Sequence, residues 1–242
     1  MNIYNEFQAL FTLHGFVSLV ILSLLELVLG IDNIIFISLV IAKLPETKRV
    51  SARVAGLALA LIMRIAMLFG LVWLSKIATV LFTLANFQVT VRDILFFTGG
   101  GYLIWSTTQE LKEHIRSKGR IEVDKGKHML YKSAILQIVM VDMLFSFDSI
   151  FTAIGLMQNF VIMALAIILG MVFMLWLSGK LSAFINKHPT IKTMALAFII
   201  AVGLLLVFSA LHIELPKSYI YIAFFGAFTL ELLNIQLKKK RQ

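Results

Sequence analysis

The chain contains no cysteine. Disulfides, thiolate nucleophiles, iron–sulfur clusters and cysteine-based zinc sites are therefore excluded. Proline is nearly absent, with 3 in 242 residues, and no stretch rich in Pro, Gly or Ser divides the chain. A single membrane domain is expected, without an attached soluble one. Charge is scarce too: 14% of residues are charged and 60% are hydrophobic, against about 25% and roughly 45–50% in soluble domains. That apolar excess is too large for a globular core. The N-terminus lacks a basic n-region and its first apolar run is too long for an h-region, so no cleavable signal is expected.

What the sequence does hold is a succession of apolar runs, each about 20 residues long and so able to cross a bilayer. Seven spans are expected, near 13–41, 52–75, 92–110, 133–157, 160–181, 191–211 and 217–237. The implied fold is an all-α polytopic bundle in contact with lipid. Residues 77–91 are apolar but short, as a re-entrant or interfacial piece would be. Residues 111–132 form the one long polar connection.

The net charge of +9 would suggest nucleic acid in a soluble protein. Here the basic residues lie mainly between the apolar runs, so they set topology instead and no nucleic-acid partner is expected. One side receives Lys43, Lys48, Arg49 and Arg53, the seven between Lys112 and Lys132, then Lys180, Lys187, Lys192 and the basic tail. The other side receives Lys76, Arg92 and Lys217. This bias places the basic side in the cytoplasm, with the N-terminus outside and the C-terminus inside.

An internal repeat is visible at an offset of 116. It aligns LLELVLGIDNIIF in span 1 with MVDMLFSFDSIFT in span 4, so that Glu26 falls on Asp142, Asp32 on Asp148, Asn33 on Ser149 and Arg64 on Lys180. The halves run over about 13–110 and 133–211, with span 7 left over. Three spans per half would invert the second half, a common transporter architecture with its site near the midplane.

Glu26, Asp32, Asp142 and Asp148 fall inside these apolar spans. Each central carboxylate costs about 2.5–3.5 kcal/mol on insertion scales, and such residues mark ion paths, proton relays or ligand sites. Glu26 and Asn33, seven apart, share a helix face, as do Asp142, Ser146 and Ser149. Asp32 lies about 120° from Glu26 on an ideal helix. Either the site forms between helices, or Gly30 and the aligned Ser146 mark places where the helix loosens and exposes carbonyls. Carboxylates, an amide and hydroxyls suit hard divalent cations. A Met143 thioether in the first coordination shell would favour a softer metal, although methionine also serves as core filler. Arg64 and Lys180 could instead neutralise two of the acids as buried ion pairs, and Lys180 could snorkel to the interface.

Other polar features are weaker. Glu231 and Asn234 share a face of span 7 and could extend a polar path. His212 and Glu214 end span 6, as an entry site or as plain surface. Thr98-Gly99-Gly100-Gly101 fits close helix packing better than a phosphate loop.

The two acidic motifs, together with HIELPKSYIY at 212–221 followed by Glu231 and Asn234, closely resemble the TerC family of integral membrane proteins. The likeness runs from about residue 15 to 237 and fits the short members, which lack appended soluble domains. The resemblance implies metal-ion homeostasis, with manganese(II) export foremost and tellurium resistance as the source of the family name. Carried over by motif, the implied ion ligands are Glu26, Asp32, Asn33, Asp142, Asp148 and Ser149, with Arg64, Ser146, Met143, Glu231 and Asn234 as accessory candidates. No tightly bound cofactor is expected, the divalent cation being cargo, and no enzymatic activity. The rival expectation is a non-transporting scaffold of the membrane in envelope stress or tellurite resistance.

Overall fold

In the computed structural model, residues 3–74, 80–84, 87–116, 129–156, 159–213 and 215–240 are described. Nine helices and one hairpin are present among them: α1 (Ile3–Ala9), α2 (Leu13–Leu29), α3 (Ile31–Ala42), α4 (Glu46–Leu74), β1 (Val80–Leu84), β2 (Phe87–Thr90), α5 (Val91–Arg116), α6 (Tyr131–Leu156), α7 (Phe160–Lys187), α8 (Pro189–Ala210) and α9 (Lys217–Lys240). The protein is thus helical, as expected, apart from one short antiparallel hairpin. Its strands, Val80–Leu84 and Phe87–Thr90, lie within the stretch 77–91 that read as re-entrant or interfacial. Its Phe, Val and Thr content fits a strand.

Among the described residues, four helices are long and apolar enough to cross a membrane: Glu46–Gly70 within α4, the whole of α7 and α8, and Ser218–Leu237 within α9. Helices α2 and α3 qualify together as a fifth if the bent pair is one span. Helices α5 and α6 coincide with the third and fourth expected spans. Apolar side chains cover much of the outer surface, including Ile62, Val172, Ile222 and Leu230. Water would not tolerate so much of it, whereas lipid does.

The chain divides into two compact units. The first holds α1 to α4, α6 and α7 as far as Ser182. Its ends are well capped. Thr12 accepts a hydrogen bond from the Gly15 N–H at 3.0 Å, and Asn159 accepts from the Ile162 N–H at 3.0 Å at the start of α7. Arg49 donates to the Leu44 and Ala42 carbonyls past the end of α3, satisfying groups that a helix C-terminus leaves open. Helix α4 lies along α6, where Gly56 leaves only enough room for Ile138.

The second unit holds the hairpin, α5, α8 and α9. Thr90 and Asp93 cap α5 reciprocally: the Thr90 N–H donates to Asp93 Oδ2 at 2.8 Å, and the Asp93 N–H donates to Thr90 Oγ1 at 3.3 Å. This is the capping-box arrangement with Asp in place of Glu. His212, left-handed at φ 59°, brings Nε2 to 3.3 Å from the same Asp93 oxygen. Helices α5 and α8 pack closely where Gly100 faces Gly203. Of the glycine run at 99–101, Gly100 is therefore a packing glycine, while Gly101 meets open space.

Candidate functional site: a buried charge cluster in the first unit

The first acidic motif does not sit on a straight helix. It is split at Gly30, where α2 ends and α3 begins with a 44° bend. Glycine is a poor helix interior residue, by about 0.8–1.0 kcal/mol relative to Ala, and here its lack of a side chain is also needed. A Cβ on Gly30 would clash with Met174 Cε and lie 2.8 Å from the Glu26 carbonyl oxygen. Gly170, also on α7, passes so close to Glu26 that its Cβ would meet the Glu26 Cβ at 3.1 Å. Thus α7 roofs the bend with one glycine and one flexible thioether. We expect Gly30→Ala to lower stability by about 1–3 kcal/mol through overpacking, and Met174→Ala in the same chain to recover part of it. Thermal unfolding in detergent reads both, and no recovery would mean that the Glu26 carbonyl is the real obstacle.

The bend lets the two halves of the motif converge on α4 and α6. At their meeting point is Arg64, from α4, only 1% exposed. Its guanidinium holds Asp142 with two parallel hydrogen bonds, Nε to Oδ2 at 2.8 Å and Nη2 to Oδ1 at 2.7 Å. Its third nitrogen, Nη1, donates to Glu26 Oε2 at 2.7 Å. Asn33 Nδ2 adds a bond to Asp142 Oδ1 at 3.0 Å. An isolated charge at such a depth would be prohibitive, and pairing through three charge-assisted hydrogen bonds is what makes it tolerable. The forked, planar guanidinium suits this task better than an ammonium would.

The remaining motif residues surround this core. Asp32, buried in the first turn of α3, accepts from the Asn33 N–H at 3.1 Å. Ser146 donates to the Asp142 carbonyl one turn earlier and lies 3.3 Å from Asp142 Oδ2. Ser149 donates to the Ser146 carbonyl at 3.1 Å. Asp142, Ser146 and Ser149 thus do share one buried face. Met143 is half-buried on α6. Asp148 lies on α6, but its side chain is outside the described residues, as is Glu214.

Of the two arrangements open from sequence, residues of different helices do meet in the cluster, and a break occurs at Gly30 but not at Ser146, where helix α6 runs unbroken. The Ser146 hydroxyl bonds back to its own helix, a local substitute that leaves the ladder in place. The repeat partners Arg64 and Lys180 also differ in fate. Lys180 is exposed on α7, with its Nζ 3.7 Å from the centre of the Trp176 ring. Of the two basic residues, Arg64 is the one that neutralises motif acids. Glu231 and Asn234 lie on α9 in the second unit, where Glu231 accepts from Thr190 Oγ1 at 2.6 Å and Asn234 reaches Glu231 at 3.4 Å.

Two buried oxygens in the cluster have no hydrogen-bond partner among the described residues: Glu26 Oε1 and Asn33 Oδ1. Such acceptors are costly unless something donates to them or a cation lies beside them. Among the described residues, no three His, Asp or Glu side chains form a ready metal cage. The cluster can hold a positive charge, and in this conformation Arg64 is that charge. Met174, Gly170 and Gly30 shape the site without polar chemistry, so sequence motifs gave no signal for the first two.

These features define a multi-pass helical membrane protein with a charged, hydrogen-bonded cluster inside its helices. Residues 11–242 match the Integral membrane protein TerC family, and the chain belongs to that family. A "UPF0053 protein" of Haemophilus influenzae is 39% identical over 225 residues, covering 93% of this chain and 95% of that protein. The "UPF0053 inner membrane protein YgdQ" of Escherichia coli is 41% identical over 219 residues, covering 90% and 92%. The longer "UPF0053 inner membrane protein YoaE" of Escherichia coli is 36% identical, the match taking in 89% of this chain but 42% of that protein. No solved structure matches the chain.

Proposed function

We propose that the protein is a metal-ion transporter of the inner membrane that exports manganese(II), coupled to inward proton flow, and that it is not an enzyme. The cation would be cargo, held near the midplane by the motif residues of spans 1 and 4. Seven spans, a 3+3 inverted repeat and an outside N-terminus complete the proposal. One observation carries it: Glu26 and Asp142, matched by the repeat, come from different helices to one buried guanidinium, beside two acceptors that lack partners. The donors are all oxygens, which suits a hard divalent ion. A cluster of this kind in an apolar bundle is expensive, and such clusters serve ion or proton passage.

The test is growth in excess manganese and total cellular manganese. Strains carrying Asp32→Asn or Asp148→Asn at normal expression are expected to accumulate manganese and grow poorly, as a deletion would. Equal tolerance in all strains would remove the proposal. A second reading has its own support, because Arg64 satisfies Glu26 and Asp142 as a static ion pair would. It is a non-transporting scaffold in envelope or tellurite stress. Flux in reconstituted vesicles separates the two, since a scaffold binds without turnover.

A further inference from the structure

We infer that Arg64 is a tethered counter-cation that occupies the transport site in the absence of metal and must be displaced from Asp142 when the ion enters. The inference rests on the transport reading above. Both Asp142 oxygens are engaged by Arg64, at 2.8 and 2.7 Å, and one oxygen of Glu26 by its third nitrogen. Among the described residues, the site oxygens left without hydrogen-bond partners are Glu26 Oε1 and Asn33 Oδ1. Two oxygens are too few for a hard divalent ion, which takes about six. Asp142 is one of the further ligands in the transport reading, and it is the carboxylate that Arg64 holds. A dication and a guanidinium a few ångströms apart in an apolar interior repel each other strongly, so the two compete for Asp142.

This competition has a use. A carrier must return without its metal after releasing it. Without Arg64, that return would require a proton on each of Glu26 and Asp142, or would carry them charged through the apolar interior with neither metal nor partner, and unpaired buried charge is heavily penalised. With Arg64 the empty site carries its own cation, and Asn33 Nδ2 holds Asp142 in place for it at 3.0 Å. Metal binding is weakened by the same device, because the ion must first break two charge-assisted hydrogen bonds.

The repeat gives this role to one position only. Lys180, which the offset places on Arg64, is exposed and stacked on Trp176. The site therefore has a single internal cation among its described residues, and one substitution removes it.

The test uses the full-length protein in liposomes with Mn²⁺ as the probe. Binding is read from loss of the free-ion paramagnetic resonance signal, and transport as both Mn²⁺–Mn²⁺ exchange and net efflux. Arg64→Gln is expected to bind Mn²⁺ about tenfold tighter or more, because the competing charge is gone. It should keep exchange, which needs only the loaded carrier, and lose net efflux by about tenfold or more. Arg64→Lys, a point charge without the fork, should fall between it and wild type, and it carries the test if Arg64→Gln does not reach the membrane. Unchanged affinity, or exchange and net efflux falling together, would overturn the inference while wild-type transport stands. Wild-type vesicles that neither bind nor move Mn²⁺ would instead overturn the transport reading, and this inference with it.

Discussion

Asp142→Leu is expected to lower unfolding stability by about 3–5 kcal/mol, the usual cost of stranding one member of a buried ion pair. Arg64 would lose the bonds at Nε and Nη2 and keep only Glu26. Asn33 Nδ2 would lose its acceptor as well. At 1% exposure the guanidinium has no water to replace the lost partner in this conformation. Replacing the whole triad, with Glu26→Met, Arg64→Leu and Asp142→Leu together, should recover most of that loss. Apolar side chains need no partners, and exchanging a complete buried ion network for well-packed ones is often neutral or stabilising. Thermal unfolding in detergent, followed by circular dichroism, measures both. The triple variant should be folded but unable to handle metal. A single Asp142→Leu variant as stable as wild type would show that water reaches Arg64 freely.

The second large effect is expected at α5 and α8. In Gly100→Leu, the new Cβ alone would lie 2.8 Å from the Gly203 carbonyl oxygen and 3.0 Å from both Leu206 Cβ and Val207 Cγ2. Backbone oxygen cannot step aside as a side chain can, so the helices must separate. Overpacking costs about 1–3 kcal/mol in well-packed cores, and glycine contacts are a principal means of close helix approach in membranes. Gly101→Leu, one residue along, meets nothing within 4 Å and should not lower stability, the better helix propensity of Leu adding up to about 0.8 kcal/mol. The pair is a matched comparison by the same unfolding measurement. Equal losses at both positions would mean that the contact with Gly203 does not set the cost.

The sequence is informative here in a specific way. The offset of 116 pairs Glu26 with Asp142, and those two do meet on one guanidinium. The shared face of Asp142, Ser146 and Ser149 follows from helical spacing alone, and the packing role of Gly100 from small residues placed inside an apolar span. What could not be read is which partner each charge finds. Arg64 and Lys180 occupy matching positions, yet one is enclosed and the other stacks on Trp176. Depth and neighbours decide that, and neither is encoded in spacing. The roof formed by Gly170 and Met174 is equally silent in sequence, because a glycine announces room but not what fills it. The hairpin did leave a signal, in the β-branched and aromatic residues of 80–90, but the surrounding apolar spans masked it.

The two acidic motifs also differ in mechanics. Glu26 and Asn33 stand on opposite sides of a joint at Gly30, whereas Asp142, Ser146 and Ser149 ride on one rigid rod. A change in the angle at Gly30 would alter the spacing between Glu26 and Asn33, whereas Asp142, Ser146 and Ser149 keep their mutual spacing for as long as α6 stays helical.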